Sequence, residues 1–109
     1  MNLTAEQASN WKKWIAALRS GQYSQIEGEY ENECGFCAAG VGYVAVYGVV
    51  VDEGEMSELS EHGFGVHVDL AGMSLEIDGD SQELYAINDG GYSFVQIADA
   101  LEAKLQGGA

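Results

Sequence analysis

Two cysteines and two histidines are the residues of this chain best suited to metal or redox chemistry. Cys34 and Cys37 are separated by two residues, a spacing found in redox-active dithiols and in zinc sites. His62 and His67 would complete a ligand set that suits zinc. However, 24 residues separate Cys37 from His62, many more than a compact zinc finger uses. We therefore treat this set as a weak zinc candidate and expect no metal and no other cofactor.

The surrounding sequence also disfavours redox catalysis. Four glutamates lie close upstream of Cys34, and nearby negative charge raises the pKa of a thiol and opposes formation of the reactive thiolate. The chain contains no proline, so it lacks the cis-proline that faces the thiol pair in thioredoxin-like folds. No Ser, His and acid set has the context for nucleophilic catalysis. The sequence thus predicts a protein that is not an enzyme.

Two acidic stretches predict a partner-binding surface. Between Tyr23 and Cys34 the glutamates alternate with other residues, which is typical of an exposed β-strand and would place them on one side about 6.8 Å apart. The stretch 52–61 is predicted to be an acidic loop that extends this row. The predicted partner-binding residues are Glu27, Glu29, Tyr30, Glu31, Glu33, Asp52, Glu53, Glu55, Glu58 and Glu61.

The distribution of charge indicates what kind of partner this surface would bind. The formal net charge is −14, and all 18 Asp and Glu residues except Glu6 lie between Arg19 and Lys104, where there is no lysine or arginine. The exposed carboxylates of this region therefore find no local Lys or Arg partner, which favours a basic protein as partner. With only four cations in the chain, direct binding of nucleic acid or of anionic lipid is disfavoured.

Local signals predict an amphipathic helix at each end of the chain. Thr4 and Gln7 are predicted to form a capping box, and apolar residues at helical spacing follow them. Gly21 is predicted to terminate this first helix. Ser93 and Gln96 form a second capping box, and the helix that follows is predicted to run to about Leu105. Both tryptophans of the first helix are predicted to belong to the core.

The middle of the chain predicts one further helix and a small antiparallel sheet. The apolar stretch 36–51 is interpreted as a buried helix through about Tyr47 with a strand-like tail. Alternating apolar residues predict a hairpin over 63–78 that turns at 71–72. Residues 88–91, with the sequence NDGG, predict a turn. The predicted fold is a single α+β domain over residues 1–109.

Two stretches of the chain together resemble a known group of proteins. They are WIAALRSGQY at 14–23 followed by FCAAGV at 36–41, and LYAINDGGYSFVQIAD at 84–99. The pair resembles small bacteriophage-encoded proteins whose function is not established. The resemblance implies a phage setting and a fold, and it supplies no catalytic residues. In that group the segment after the first helix tends to be basic, whereas here 27–33 is acidic, which suggests a positively charged target.

These observations lead to one functional hypothesis and two alternatives. The hypothesis is an acidic phage-type inhibitor that mimics nucleic acid and occupies a basic nucleic-acid-binding surface of a host protein, possible examples being anti-CRISPR or other anti-defence proteins. The alternatives are a redox or zinc-binding protein that depends on Cys34 and Cys37, and a soluble structural or self-associating module. No apolar run is long enough to span a bilayer, and no signal peptide is evident. We therefore expect a protein of the bacterial host cytoplasm that has no membrane partner. The sequence leaves open whether the protein forms a homodimer.

Overall fold

The computed structural model describes residues 3–26, 31–32, 35–48 and 56–107, and for residues 31, 32, 35 and 36 it describes the backbone alone. This part of the chain contains five α-helices, two short antiparallel strand pairs and one 3-10 turn, so the predicted α+β class is confirmed. The elements are α1 Ala5–Arg19, β1 Glu31–Asn32, β2 Gly35–Phe36, α2 Ala38–Tyr47, α3 Met56–Phe64, the 3-10 turn Leu70–Gly72, β3 Ser74–Ile77, β4 Asp80–Glu83, α4 Leu84–Asp89 and α5 Phe94–Gly107.

Helix α1 starts and ends as the sequence predicts. The side chains of Thr4 and Gln7 each accept a hydrogen bond from the other residue's backbone N–H at 3.0 Å, which forms the capping box. After the helix, Gly21 adopts a φ of 75°, a conformation that costs glycine little. Trp11 and Trp14 are fully buried, with ring centroids 5.6 Å apart, so their assignment to the core is confirmed.

Helix α2 packs tightly against α1. The indole N–H of Trp14 donates to the carbonyl of Ala38 at 2.9 Å. A Cβ at Gly42 would lie 2.8 Å from Leu70 Cδ1 and 3.1 Å from the Trp14 ring, so glycine permits this close approach. The predicted helix through Tyr47 is confirmed, and its predicted strand-like tail at 49–51 lies outside the described residues.

The predicted hairpin over 63–78 is wrong in its first strand and its turn. Strand β3 pairs instead with β4, with Ile77 opposite Asp80, and the chain reverses at Asp78 and Gly79, whose φ values are 52° and 84°. Positive φ at both central residues is the geometry that an Asp-Gly pair favours in a two-residue hairpin loop. The alternating apolar residues before Leu70 form no strand, because α3 continues to Phe64 and an irregular segment follows it.

Helices α4 and α5 complete the core. Residues 88 and 89 are the last two residues of α4, so the predicted turn over 88–91 is wrong for these two positions. The observed turn consists of Gly90 and Gly91. In the second capping box, Ser93 N–H donates to Gln96 Oε1 at 2.9 Å and Gln96 N–H donates to Ser93 Oγ at 3.2 Å, as predicted. None of the described helices is long and apolar enough to cross a bilayer.

The two predicted acidic stretches differ from expectation where they are described. Residues 56–61 are helical, so the predicted loop over 52–61 is wrong for that part, and 52–55 lie outside the described residues. Of the predicted strand over 23–34, Glu31–Asn32 is extended and pairs with Gly35–Phe36. Residues 23–26 belong to neither strand pair, and 27–30 with 33–34 lie outside the described residues.

Candidate acidic binding groove

Helix α1 fixes the carboxyl end of α3 through side-chain hydrogen bonds. The last carbonyls of a helix have no intrahelical donor, so they need other partners. Gln7, Asn10 and Trp11 donate to the carbonyls of residues 61–64 over distances of 2.7 to 3.3 Å. These bonds determine how α3 lies against α1, and Gly63 allows a close approach between α3 and the Tyr47 side chain of α2.

Between α1 and α3 lies an open groove with a volume of about 780 Å³. We call it the α1–α3 groove, and its lining residues are Thr4, Glu6, Gln7, Ser57, Glu58, Glu61, His62, Gly65 and His67. Three of these residues are exposed glutamates: Glu6 comes from the first turn of α1, and Glu58 and Glu61 lie one turn apart on α3. None of the described residues lining the groove is lysine or arginine.

The fold tolerates this local excess of negative charge for identifiable reasons. Glu6 and Glu58 lie in the first turns of their helices, where the helix dipole favours a carboxylate. Glu61 Oε2 lies 3.8 Å from His67 Nδ1, an exposed pair that attracts only while the imidazole is protonated. The helix dipoles thus offset part of the repulsion at Glu6 and Glu58, and the groove presents three carboxylates to solvent.

A smaller cleft with a volume of about 320 Å³ lies between the hairpin and α5. Glu76, Asp78 and Asp99 contribute its carboxylates, and the hydroxyl of Tyr92 donates to Asp78 Oδ2 at 2.7 Å. This hydrogen bond to a carboxylate raises the pKa of Tyr92 above its usual value. Because Asp99 also forms an ion pair with Arg19 at 2.7 Å, this cleft is partly neutralised and is the weaker candidate for cation binding.

The structure places only part of the predicted partner-binding surface. Glu58 and Glu61 come together in the α1–α3 groove, and Glu31 lies in β1, where only its backbone is described. Glu6 lines the same groove, although the sequence does not predict it as a partner-binding residue. The remaining predicted residues lie outside the described part of the chain; they are Glu27, Glu29, Tyr30, Glu33, Asp52, Glu53 and Glu55.

The predicted zinc ligands are not seen as one cluster. Cys34 lies outside the described residues, while Cys37 is buried as the N-cap of α2, where its Sγ accepts the N–H of Gly40 at 3.4 Å. His62 and His67 line the α1–α3 groove, and Cys37 does not. Within the described part of the chain, no three His, Cys, Asp or Glu side chains are placed to hold a metal ion.

The environment of Cys37 has a clear effect on its thiol. Burial raises the pKa of Cys37, and the backbone N–H groups of Gly40 and Ala39 only partly oppose this effect. A thiol at a helix N-terminus is often activated, but here desolvation dominates. The Cys37 side chain therefore acts as a buried cap for α2.

Comparison with known proteins gives one family match. A family model described as a domain of unknown function (DUF8296) matches residues 7–52, less than half of the chain. That range contains α1 from Gln7 onward and all of α2, together with Asn10 and Trp11, which like Gln7 donate hydrogen bonds to the end of α3. No curated protein and no solved structure matches the chain.

Proposed function

We propose that this protein is an acidic binding protein that occupies a basic, nucleic-acid-binding surface of a partner protein, as a mimic of nucleic acid. The observation that carries the proposal is the convergence of Glu6, Glu58 and Glu61 on the α1–α3 groove, whose described lining contains no lysine or arginine. Two of these three glutamates belong to the surface that the sequence predicts.

A cationic side chain entering this groove would gain from all three carboxylates. Opposite unit charges about 4 Å apart attract by about 1 kcal/mol in bulk water and by about 4 kcal/mol at an effective dielectric constant of 20. Charge complementarity of this kind also accelerates the encounter and disfavours acidic partners. The net charge of −14 extends the attraction beyond the groove itself.

The uncharged residues of the groove support binding of a side chain rather than of a lone ion. Thr4, Gln7 and Ser57 place hydroxyl and amide groups beside the glutamates. The groove volume also lies within the range of about 300 to 1,000 Å³ typical of binding clefts. An extended Lys- or Arg-bearing segment of a partner fits these properties.

We further propose a phage origin and a host defence complex of the CRISPR kind as target, because residues 14–23, 36–41 and 84–99 resemble small bacteriophage-encoded proteins. The chemistry of the groove supports a basic partner of either bacterial or other origin.

A binding assay with matched variants tests the proposal. The protein is used to capture partners from bacterial lysate at low and at high salt, and a captured protein is then assayed for nucleic-acid binding. The groove variant is Glu6→Gln, Glu58→Gln and Glu61→Gln together; the control variant is Glu76→Gln, Asp80→Asn and Glu83→Gln, which removes the same charge from exposed hairpin positions.

We expect the groove variant to lose a salt-sensitive partner that the control variant retains, and nucleic acid to compete for that partner. Equal binding by both variants would contradict the assignment to the groove. A partner that does not bind nucleic acid would contradict the mimicry.

The acidic row that lies mostly outside the described residues requires its own variant. Replacing Glu29, Glu31 and Glu33 by lysine should abolish partner binding while the protein keeps its thermal stability. If this variant binds the partner with unchanged affinity, the acidic row is not part of the partner-binding surface. The proposed surface would then be limited to the α1–α3 groove.

A further inference from the structure

A second groove, with a volume of about 720 Å³, lies between α1 and α5. We call it the α1–α5 groove; among the residues that line it are Lys12, Ile15, Ala16, Arg19, Glu102 and Leu105. Ile15 is buried and Leu105 is half-buried, while Ala16 is exposed. The accessible apolar surface of the groove therefore comes from Ala16 and the exposed part of Leu105, and it lies among the charged side chains of Lys12, Arg19 and Glu102.

This groove has a charge pattern unlike that of the rest of the molecule. All four cations of the chain lie on α1 and α5. In the groove, Arg19 forms ion pairs with Asp99 and Glu102, and Lys12 forms no ion pair with any described residue. The groove therefore combines both signs of charge on a chain whose net charge is −14.

We propose that a second copy of this chain docks on the α1–α5 groove and forms a two-fold symmetric dimer, in which Lys12 of each copy meets Glu102 of the other. A two-fold interface must be complementary to itself, which requires both charge signs on one surface. Lys12 and Glu102 provide this on neighbouring helices, where the carboxylate of Glu102 can accept Lys12 of the other copy beside its own Arg19. Ala16 and the exposed part of Leu105 provide apolar area to bury.

Electrostatics favours this face over the acidic ones. Two copies that each carry −14 repel one another, so they approach at least cost where the local charge is balanced. The acidic groove between α1 and α3 would instead bring glutamates against glutamates. An acidic or basic protein segment fits the α1–α5 groove less well, because the groove presents both charge signs.

The salt dependence of the dimer distinguishes it from binding of a basic partner. Salt screens the repulsion between two bodies that each carry −14, whereas the apolar contact is not weakened by screening. Salt also weakens the two Lys12–Glu102 pairs, but exposed ion pairs contribute little, so the loss of repulsion dominates. The dimer should therefore tighten as salt rises, while a complex between acidic and basic proteins should loosen. The dimer and the complex with a basic partner thus use different grooves and respond to salt in opposite directions.

Sedimentation velocity over a concentration series, at low and at high salt, tests the proposal. Lys12→Glu is compared with Lys13→Glu, which makes the same charge change at the adjacent exposed position that does not line the groove. Ala16→Glu adds a charge to the apolar part of the groove. Both groove positions are exposed, so folding should persist, and circular dichroism checks this.

We expect Lys12→Glu and Ala16→Glu to weaken the dimer about tenfold or more, while Lys13→Glu stays close to the parent protein at high salt. A parent protein that is monomeric under all conditions would overturn the proposal. So would a dimer that salt dissociates, or equal effects of Lys12→Glu and Lys13→Glu.

Discussion

The side-chain oxygen of Asn88 accepts the backbone N–H of Ala38 at 3.1 Å, although 50 positions separate the two residues. Ala38 is the first residue of α2, where a backbone N–H has no intrahelical acceptor. The same oxygen accepts Gln25 Nε2 at 3.0 Å, and Asn88 Nδ2 donates to the carbonyl of Ile26 at 2.7 Å. One buried amide thus joins the end of α4 to the start of α2 and to the segment after α1.

Asn88→Ala should therefore destabilise the protein by about 2 to 4 kcal/mol, because it leaves the buried N–H of Ala38 and the half-buried carbonyl of Ile26 without partners. Urea denaturation followed by circular dichroism measures the change. Gln25→Ala removes one partner of Asn88 and should cost less, about 1 kcal/mol. A loss for Asn88→Ala no larger than that for Gln25→Ala would refute the role of Asn88 as the shared partner.

Gly63 is the second position where a small change should have a large effect. A Cβ there would overlap Tyr47 Oη and lie 3.1 Å from Cζ. The Tyr47 hydroxyl donates to the carbonyl of Leu59 at 2.9 Å, so the ring cannot move away without losing that bond. Gly63→Ala should cost about 1 to 3 kcal/mol in thermal or urea denaturation.

Two further variants test this explanation of the Gly63→Ala effect. Gly107→Ala, at a helical position where a Cβ would meet no atom within 4 Å, should be neutral or slightly stabilising. Combining Gly63→Ala with Tyr47→Phe removes the overlapping oxygen and should cost less than the sum of the two single changes. Additive effects would show that the overlap is not the cause.

The features that the sequence predicts correctly are mainly local. Each capping box is determined by two residues three positions apart, so Thr4 with Gln7 and Ser93 with Gln96 identify their helix starts without tertiary information. The hairpin fails because apolar alternation over 64–70 matches a strand as well as a helix end followed by a loop. The Asp78-Gly79 pair was the better turn signal.

The candidate site was less predictable because it depends on contacts between distant parts of the chain. Glu6 lines the same groove as Glu58 and Glu61, and side chains of α1 hold α3 beside it through hydrogen bonds to residues some 53 to 55 positions away. No spacing in the sequence encodes that contact. The sequence shows that the stretch around Glu58 is acidic, but it does not show that this stretch is helical or that it lies beside α1.

Alkaline pH should weaken the fold through Tyr43. Its hydroxyl donates to the carbonyl of Met56 at 3.2 Å and accepts the N–H of Leu70 at 2.9 Å. Burial raises the pKa of Tyr43 to about 12 from its ordinary value of 10. The unfolded chain therefore loses this proton first, so the stability that Tyr43 contributes is complete below pH 10 and declines as pH rises toward 12.

Comparing the protein with Tyr43→Phe isolates this effect. At neutral pH the variant should be less stable by about 1 to 3 kcal/mol, because the N–H of Leu70 loses its acceptor. Above pH 10 the difference should shrink, since the variant has no proton to lose at this position. Urea denaturation at several pH values measures this, with Tyr85→Phe at a half-exposed position as control. A difference that stays constant with pH would contradict the prediction.

Cys37 provides the test that separates a structural thiol from the redox and zinc alternatives. Since burial raises the pKa of Cys37, its thiolate should be scarce in the folded protein. In a Cys34→Ser background, Cys37 should react with a thiol reagent at least about a hundredfold more slowly in the native than in the urea-unfolded state. Fast native labelling would instead support an activated thiol.

Replacing Cys37 by serine should be tolerated for a related reason. Serine is a favoured N-cap, and its oxygen can accept the Gly40 N–H in place of Sγ. The variant in which serine replaces both Cys34 and Cys37 should therefore remain folded, and it should still bind the partner captured by the parent protein. A folded variant that no longer binds would shift the function from the acidic groove to the two cysteines.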